Sequence, residues 1–214
     1  HWPDRLTNCF GQRDYIPNDT DFTSFHQLLE ILELVKKSGK VRNFGVSNET
    51  PWGLMSYINS AVINNLPRME SIQNPYSLLN RTFEIGLSEI SYKENCGLLA
   101  YSPLAFGVLT GKYLNQEKPL NARLTLYDRF DRYNNENATR ATQQYVDLAN
   151  KYELSPAQMA LAFVNTRKFV TSTIIGATTM QQLKTNIASI DLILSDELLE
   201  EIEMIHSDIP NPAP

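Results

Sequence analysis

The stretch that decides the fold is Val41-Arg42-Asn43-Phe44-Gly45-Val46-Ser47-Asn48-Glu49-Thr50-Pro51. Val41 to Val46 reads as a short β-type run that ends on the polar pair Ser47-Asn48. Thr50 then supplies an N-cap, and Pro51 takes the first helical position, where an N–H would have no intrahelical partner anyway. Trp52, Met55, Ile58 and Val62 are expected to give that helix its apolar side. A strand that passes through a short polar link into a capped helix is the repeating unit of a parallel α/β sheet.

The same alternation extends in both directions. Upstream, Phe25, Leu28, Leu29, Leu32 and Val35 recur at helical spacing; Lys36 and Lys37 lie in the last turn and Gly39 ends it. Downstream, Pro67 closes a loop before a strand at Ser71-Ile72-Gln73, followed by a helix over about Thr82 to Tyr92 and a strand over Gly97 to Tyr101. From about Thr110 to Asn137 the residues are polar and charged and read as a long surface loop, a length that usually accompanies a task such as covering a ligand. Helices resume over about Ala138 to Tyr152 and after Ser155-Pro156, which caps a helix carrying Met159, Ala160, Phe163 and Val164. A last strand, Val170 to Ile175, precedes helices over about Met180 to Ile190 and from the N-cap Ser195, with Asp196 and Glu197 in its first turn.

Composition restricts the function classes. The 214 residues carry a net charge of −5, which argues against nucleic acid or an anionic membrane as main partner. No run of about 18 apolar residues suggests a transmembrane helix, and no basic-then-apolar leader is present. Cys9 and Cys96 are far apart and fit no metal or disulfide pattern, so both read as reduced thiols of a cytoplasmic protein. No metal site is expected.

Strands near positions 41, 71, 97 and 170 alternating with helices leave two common architectures, a (β/α)8 barrel and an open doubly wound sheet. No G-x-G-x-x-G stands at a strand-to-helix turn, which counts against the dinucleotide-binding open sheet. Polar residues gather instead at strand C-termini, at Ser47-Asn48, Gln73-Asn74, Tyr101-Ser102 and Gly176 to Thr179. Barrel enzymes place their sites there. The expectation is therefore a single α/β domain over residues 1–214, a TIM barrel represented by about its last five strands and C-terminal helices. The fifth strand would end at His1. A barrel takes eight strands, so three more are expected upstream, and the chain reads as N-terminally truncated, with two open sheet edges.

The motifs His1-Trp2-Pro3, Gly45-Val46-Ser47-Asn48, Gln73-Asn74-Pro75-Tyr76-Ser77, Tyr101-Ser102-Pro103-Leu104 with Gly107 and Gly111-Lys112-Tyr113, and Gly176-Ala177-Thr178-Thr179 with Gln182 and Asn186 follow one another along the whole chain. In this order and spacing the chain resembles the aldo-keto reductase superfamily, and within it the Tas-like bacterial reductases related to potassium-channel β-subunits. The resemblance implies an NADPH-dependent oxidoreductase that reduces aldehydes or ketones to alcohols, with the NADPH (NADP+) cofactor across the barrel mouth.

By that resemblance, Ser47, Asn48 and Gln73 hold the nicotinamide carboxamide, a group whose donor and acceptor Asn and Gln side chains can both answer. Taken singly, Asn48 could equally end a strand and Gln73 satisfy a loop. Tyr101 matches the aromatic that stacks on the nicotinamide ring; without that context it reads as readily as a core tyrosine. Ser102, Pro103, Leu104, Gly107 and Lys112 match the segment that wraps the pyrophosphate, where small residues admit the backbone and a lysine neutralises charge. Arg123 matches a basic clamp in the long loop. Gly176, Thr178, Gln182 and Asn186 match the adenosine-phosphate corner at a helix N-terminus. Gly176 and Gln182 stand where another branch of the family has Lys and Arg, which bears on the choice of NADPH over NADH.

The family's catalytic set is Asp, Tyr, Lys and His, with Tyr as general acid. Only the His is matched, by His1, and the other three positions would lie upstream. His26 and His206 read as ordinary helical surface or boundary residues. The polypeptide alone is thus expected to be catalytically incomplete. The rival reading is a non-catalytic module that senses cofactor state and acts on a partner, as in the channel β-subunits. The partner otherwise expected is a small carbonyl compound; substrate identity and oligomeric state do not follow from the sequence.

Overall fold

The computed structural model describes residues 1–7, 14–17, 21–127 and 131–214. Helix α1, Phe25–Lys37, starts at a full capping box: Ser24 Oγ accepts from the Gln27 N–H and the Gln27 side chain accepts from the Ser24 N–H. Strand β1 is Phe44–Ser47, shorter at its start than the sequence suggests. Val41 to Asn43 have no strand partner, because ladder pairing with β2 begins only at Phe44. Helix α2, Pro51–Asn64, is capped by Thr50 as expected, its Oγ1 accepting from the Gly53 N–H at 3.2 Å.

Strand β2 is Met69–Pro75, α3 is Leu87–Lys93 and β3 is Gly97–Tyr101. The single helix expected over Thr82 to Tyr92 is divided into a 3₁₀ turn, Thr82–Glu84, and α3, because Gly86 adopts φ +90° between them. The long loop after β3 is not featureless. It contains 3₁₀ turns, the one-turn helix α4 at Arg123–Leu126, and the buried Tyr133. Helices α5, Glu136–Lys151, and α6, Pro156–Asn165, lead to β4, Val170–Thr173. Helix α7, Met180–Ala188, tightens into a 3₁₀ turn at Ser189–Asp191, and α8, Asp196–Asp208, is capped by Ser195.

The strands form one parallel sheet in the order β1-β2-β3-β4. Ile72, Asn74, Leu98 and Ala100 are buried on one face, and α1, α2 and α6 contribute Leu29, Leu54, Ile58, Met159, Phe163 and Val164 to the same core. The other face carries Ser47, Ser71, Gln73, Leu99 and Tyr101, all partly exposed. One-sided helices over a sequentially ordered parallel sheet are the α/β layering expected from the sequence. Four strands are described; the fifth, expected to end at His1, is not among them, and His1–Pro3 have no regular structure. Among the described residues no strand pairs with the outer edges of β1 and β4.

The apolar side of α2 also differs. Gly53, Leu54, Tyr57, Ile58 and Ala61 are buried, whereas Trp52 and Val62 are 59% and 69% exposed. Ser56, Asn59, Ser60 and Asn64 recur at helical spacing as a polar stripe; Trp52 shares that side and Val62 flanks it, so the buried face is the opposite one. The close-packing set wins, and Trp52 packs on Phe25 instead, rings 5.3 Å apart.

The connection from β2 to α3 is fixed by a buried ionic cluster. Arg81, 5% exposed, donates to both Glu84 oxygens, pairs with Glu203 of α8 at 2.9 Å and lies over the Phe163 ring. The Tyr76 hydroxyl also donates to Glu84. Burial raises the Glu84 carboxyl, but the bonds from Arg81 and Tyr76 outweigh it and hold the group below its ordinary range. The chain's last residues dock here: Asn211 Oδ1 accepts from the Arg81 N–H, and the Ala213 N–H donates to Leu79. No described helix is long and apolar enough to cross a membrane.

Two outcomes are expected. Arg81→Met takes a buried cation from the half-buried Glu84 and should lower unfolding free energy by about 1–3 kcal/mol in urea; a loss near that of a surface pair would show the cluster to be solvent-screened. Burial, followed by the Arg81 charge, lowers His206 below its ordinary 6.5, against smaller opposing effects of Glu84 and Glu203. The unfolded chain therefore takes up this proton first. Stability should fall as pH drops below about 6.5 and level off below the folded value. Melting curves of His206→Gln should lack that step; an unchanged profile would assign it to other groups.

Candidate functional site

All four strands run in one direction, so their C-terminal ends meet on one rim. Ser47 lies opposite Gln73, and Pro75 opposite Tyr101. A continuous set of hydrogen bonds ties these ends together. The Tyr101 hydroxyl donates to Asn48 Oδ1 at 2.6 Å. Asn48 Nδ2 donates to Ser47 Oγ and to the His1 carbonyl, both at 3.2 Å. Ser47 Oγ donates to the Gln73 carbonyl at 2.8 Å, and the Asn48 N–H donates to the same oxygen.

Asn48 is 8% exposed and sits at φ +55°, a conformation that Asn tolerates better than most residues. Both its N–H donors are committed, and one lone pair of Oδ1 remains. The Gln73 side-chain amide, half-buried one strand away, has no hydrogen-bond partner among the described residues. The rim thus offers a free amide, one fixed acceptor and the Tyr101 ring, whose hydroxyl is anchored. His1 joins through its carbonyl while its exposed ring packs edge-on against Trp2.

Beyond Tyr101 the chain turns sharply. Ser102, Ala105, Phe106 and Gly107 all have positive φ. Non-glycine residues there cost about 1 kcal/mol or more each, and such strain concentrates at ligand clamps. Pro103 is buried and Leu104 packs against the core. Lys112, exposed, lies beside Gly107: a Cβ at Gly107 would sit 2.7 Å from its Nζ. The Arg123 guanidinium lies 4.8 Å over the Phe106 ring, which packs edge-on against Tyr133. Ser102 and Arg132 hydrogen-bond the Tyr133 hydroxyl.

At the end of β4, Gly176 is open and Thr179 caps α7, its Oγ1 accepting from the Gln182 N–H. Gln182 Oε1 accepts from both the N–H and the hydroxyl of Thr178. Asn186 is 6% exposed and its Nδ2 donates to the Gly176 carbonyl, so it braces this turn from beneath. Earlier N–H groups of the first turn have no intrahelical partner.

The fourteen cofactor positions read from the sequence therefore fall into three groups on successive strand ends: Ser47, Asn48, Gln73 and Tyr101; Ser102 to Arg123; and Gly176 to Asn186. Three features escaped the sequence reading. Arg5 and Glu49 form a buried pair beside Asn48; Asn74 clamps the Glu49 backbone through both its amide groups; and Phe106 and Tyr133 support Arg123. The first two had a signal, an acid directly before an N-cap and the polar strand end Gln73-Asn74, but not the partners. The third had none, because Tyr133 is remote in sequence. Cys96 is a free buried thiol whose pKa burial pushes up to about 11; Cys9 lies outside the described residues. Among the described residues no group of three or more His, Cys, Asp or Glu is arranged to hold a metal ion.

These donors fit an elongated anionic ligand with an amide at one end. The free Gln73 amide and the remaining Asn48 lone pair suit a carboxamide, the Tyr101 ring a planar group, and Lys112 and Arg123 a diphosphate.

The model of the Aldo/keto reductase family matches residues 1–207. The chain is 54% identical over its whole length to the Tas proteins of Escherichia coli and Shigella flexneri, of which it spans 62%. It is 36% identical to an aldo-keto reductase of Babesia bovis, with 96% of this chain and 78% of that protein covered. The chain belongs to the aldo/keto reductase family.

Proposed function

We propose that this chain is the cofactor-binding portion of an NADPH-dependent reductase that converts aldehydes or ketones to alcohols. The observation that carries the reading is the bonded set Tyr101–Asn48–Ser47–Gln73, which leaves one amide and one acceptor lone pair open beside an anchored aromatic ring.

In this reading the nicotinamide, when bound, supplies the hydride. Gln73 and Asn48 hold its carboxamide and so fix its rotation; Ser47 keeps Asn48 oriented. Tyr101 covers one ring face. Ser102, Pro103, Leu104 and Gly107 wrap the diphosphate while Lys112 and Arg123 offset its charge. Gly176, Thr178 and Gln182 meet the adenosine phosphates at the start of α7, and Asn186 holds that turn. His1 lies at the rim to orient a carbonyl. The tetrad's Asp, Tyr and Lys are proposed to come from further β/α units that pair with the edges of β1 and β4 and complete a barrel. Without a general acid the polypeptide alone is slower by roughly 10²–10⁴. The proposed setting is cytoplasmic, with a small carbonyl compound as partner.

Titrating the 214-residue protein with NADPH by nucleotide fluorescence should give saturable binding, weakened about five- to tenfold in Gln73→Ala. No binding of NADPH or NADH by the parent chain would sink the reading, and unchanged affinity in the variant would remove Gln73 from the site. Tyr101→Phe should keep most of the affinity and lose about 1 kcal/mol of stability with its hydroxyl bond, whereas Tyr101→Ala should lose more affinity. Equal losses would place the residue's part in the hydroxyl, not the ring.

A further inference from the structure

We propose that the buried Arg5–Glu49 pair is the positioning element of this site, setting both the His1 segment and the Asn48 amide; this rests on the cofactor reading above. Arg5 and Glu49 side chains are 12% and 2% exposed. The guanidinium meets the carboxylate through two bonds, Nη1 to Oε2 at 3.1 Å and Nη2 to Oε1 at 2.5 Å, and Nη2 also donates to Thr50 Oγ1. Its plane lies against the rings of Trp52 and Phe25, at 5.0 and 5.6 Å. Only arginine has the flat fork that meets a carboxylate and stacks on aromatic rings at once.

Glu49 is itself held from three directions. Its N–H donates to Asn74 Oδ1, its carbonyl accepts from Asn74 Nδ2, and its Oε1 accepts from the Thr50 N–H. The pair lies directly on the first turn of α2. Position 53 must be glycine for that, because a Cβ there would collide with both the Glu49 carboxylate and the Arg5 guanidinium.

The consequence falls on the rim. Glu49 follows Asn48, so the Asn74 clamp holds the backbone from which the Asn48 amide projects at positive φ. Arg5 is four residues from His1, whose carbonyl takes one of the two Asn48 N–H groups. The segment between is thus tied at both ends, with the stiff Pro3 inside it. A buried ion pair contributes little net stability compared with apolar packing. What this one supplies is place: it keeps the His1 carbonyl where Asn48 needs a partner, and so keeps the second lone pair of Asn48 Oδ1 turned to the rim.

The test uses the whole chain with two probes: NADPH, and adenosine 2′,5′-bisphosphate, which lacks the nicotinamide. Arg5→Met combined with Glu49→Gln removes both charges at nearly constant volume and avoids a stranded buried carboxylate. The expected result is an NADPH affinity about tenfold weaker, an unchanged affinity for the bisphosphate, and moved side-chain amide NMR signals of Asn48 without ligand. Equal weakening of both probes would make the pair general scaffolding, and unmoved Asn48 signals would break the link to the rim; either overturns the proposal. Should the double variant not fold, Arg5→Lys keeps the charge but loses the fork. It is expected to show the same probe-selective loss in smaller measure, and parent-like affinity for both probes would overturn the proposal. A parent chain that binds neither probe overturns the cofactor reading itself, whatever the Asn48 signals show.

Discussion

The parallel ladder joining β1, β2 and β3 is the constraint on which the rest depends. Parallel pairing makes every strand finish on the same side, and the register sets Ser47 level with Gln73 and Pro75 level with Tyr101. Residues 28 positions apart in the chain, Gln73 and Tyr101, thereby become neighbours on one rim. The strands lie in sequence order, and right-handed crossovers between successive neighbours fall on one face of such a sheet. There α2 and α6 share one core, joined by α1, which precedes β1.

At the rim the polypeptide gives up favourable backbone conformation for geometry. The residues that leave β1 and β3, Asn48 and Ser102, are both left-handed, and three more left-handed residues follow within the turn after β3. Such positions are tolerated when the surroundings over-determine them. Here they do: Asn48 is held by four hydrogen bonds through its side chain and N–H, and Ser102 reaches the buried Tyr133. The conformation aims side chains and N–H groups over the strand ends, which a relaxed helix start would not do.

Two arginine-centred ionic clusters brace this arrangement. Arg81 with Glu84 and Glu203 secures the segment that follows β2, and the Tyr76 N–H in that segment donates to the Tyr101 carbonyl. Arg5 with Glu49 secures the segment that follows β1. Each uses the bidentate geometry of arginine and an aromatic ring against the guanidinium face. The rim residues themselves are largely uncharged, so orientation there comes from hydrogen bonds whose directions these outer pairs fix.

The sequence alone determined the order of strands and helices, the side-chain caps at Thr50 and Ser195, and the polar strand ends, because these are local: periodicity, capping chemistry and turn residues act over a few positions; Ser155 stands at its expected N-cap position but makes no side-chain capping bond, and the cap at Thr179 emerged only in the structure. Motif order carried the family. Tertiary structure decided what no short window contains. It buried Leu54 and Tyr57 in place of Trp52 and Val62, on the side of α2 opposite its polar stripe Ser56, Asn59, Ser60 and Asn64, where α1 and β2 pack. It broke the helix expected after Thr82, through the left-handed Gly86. It brought Arg5 to Glu49 and Tyr133 to Phe106 across 44 and 27 positions of sequence. Pairings at that distance depend on where the folded sheet places each segment, and only the assembled packing fixes that place.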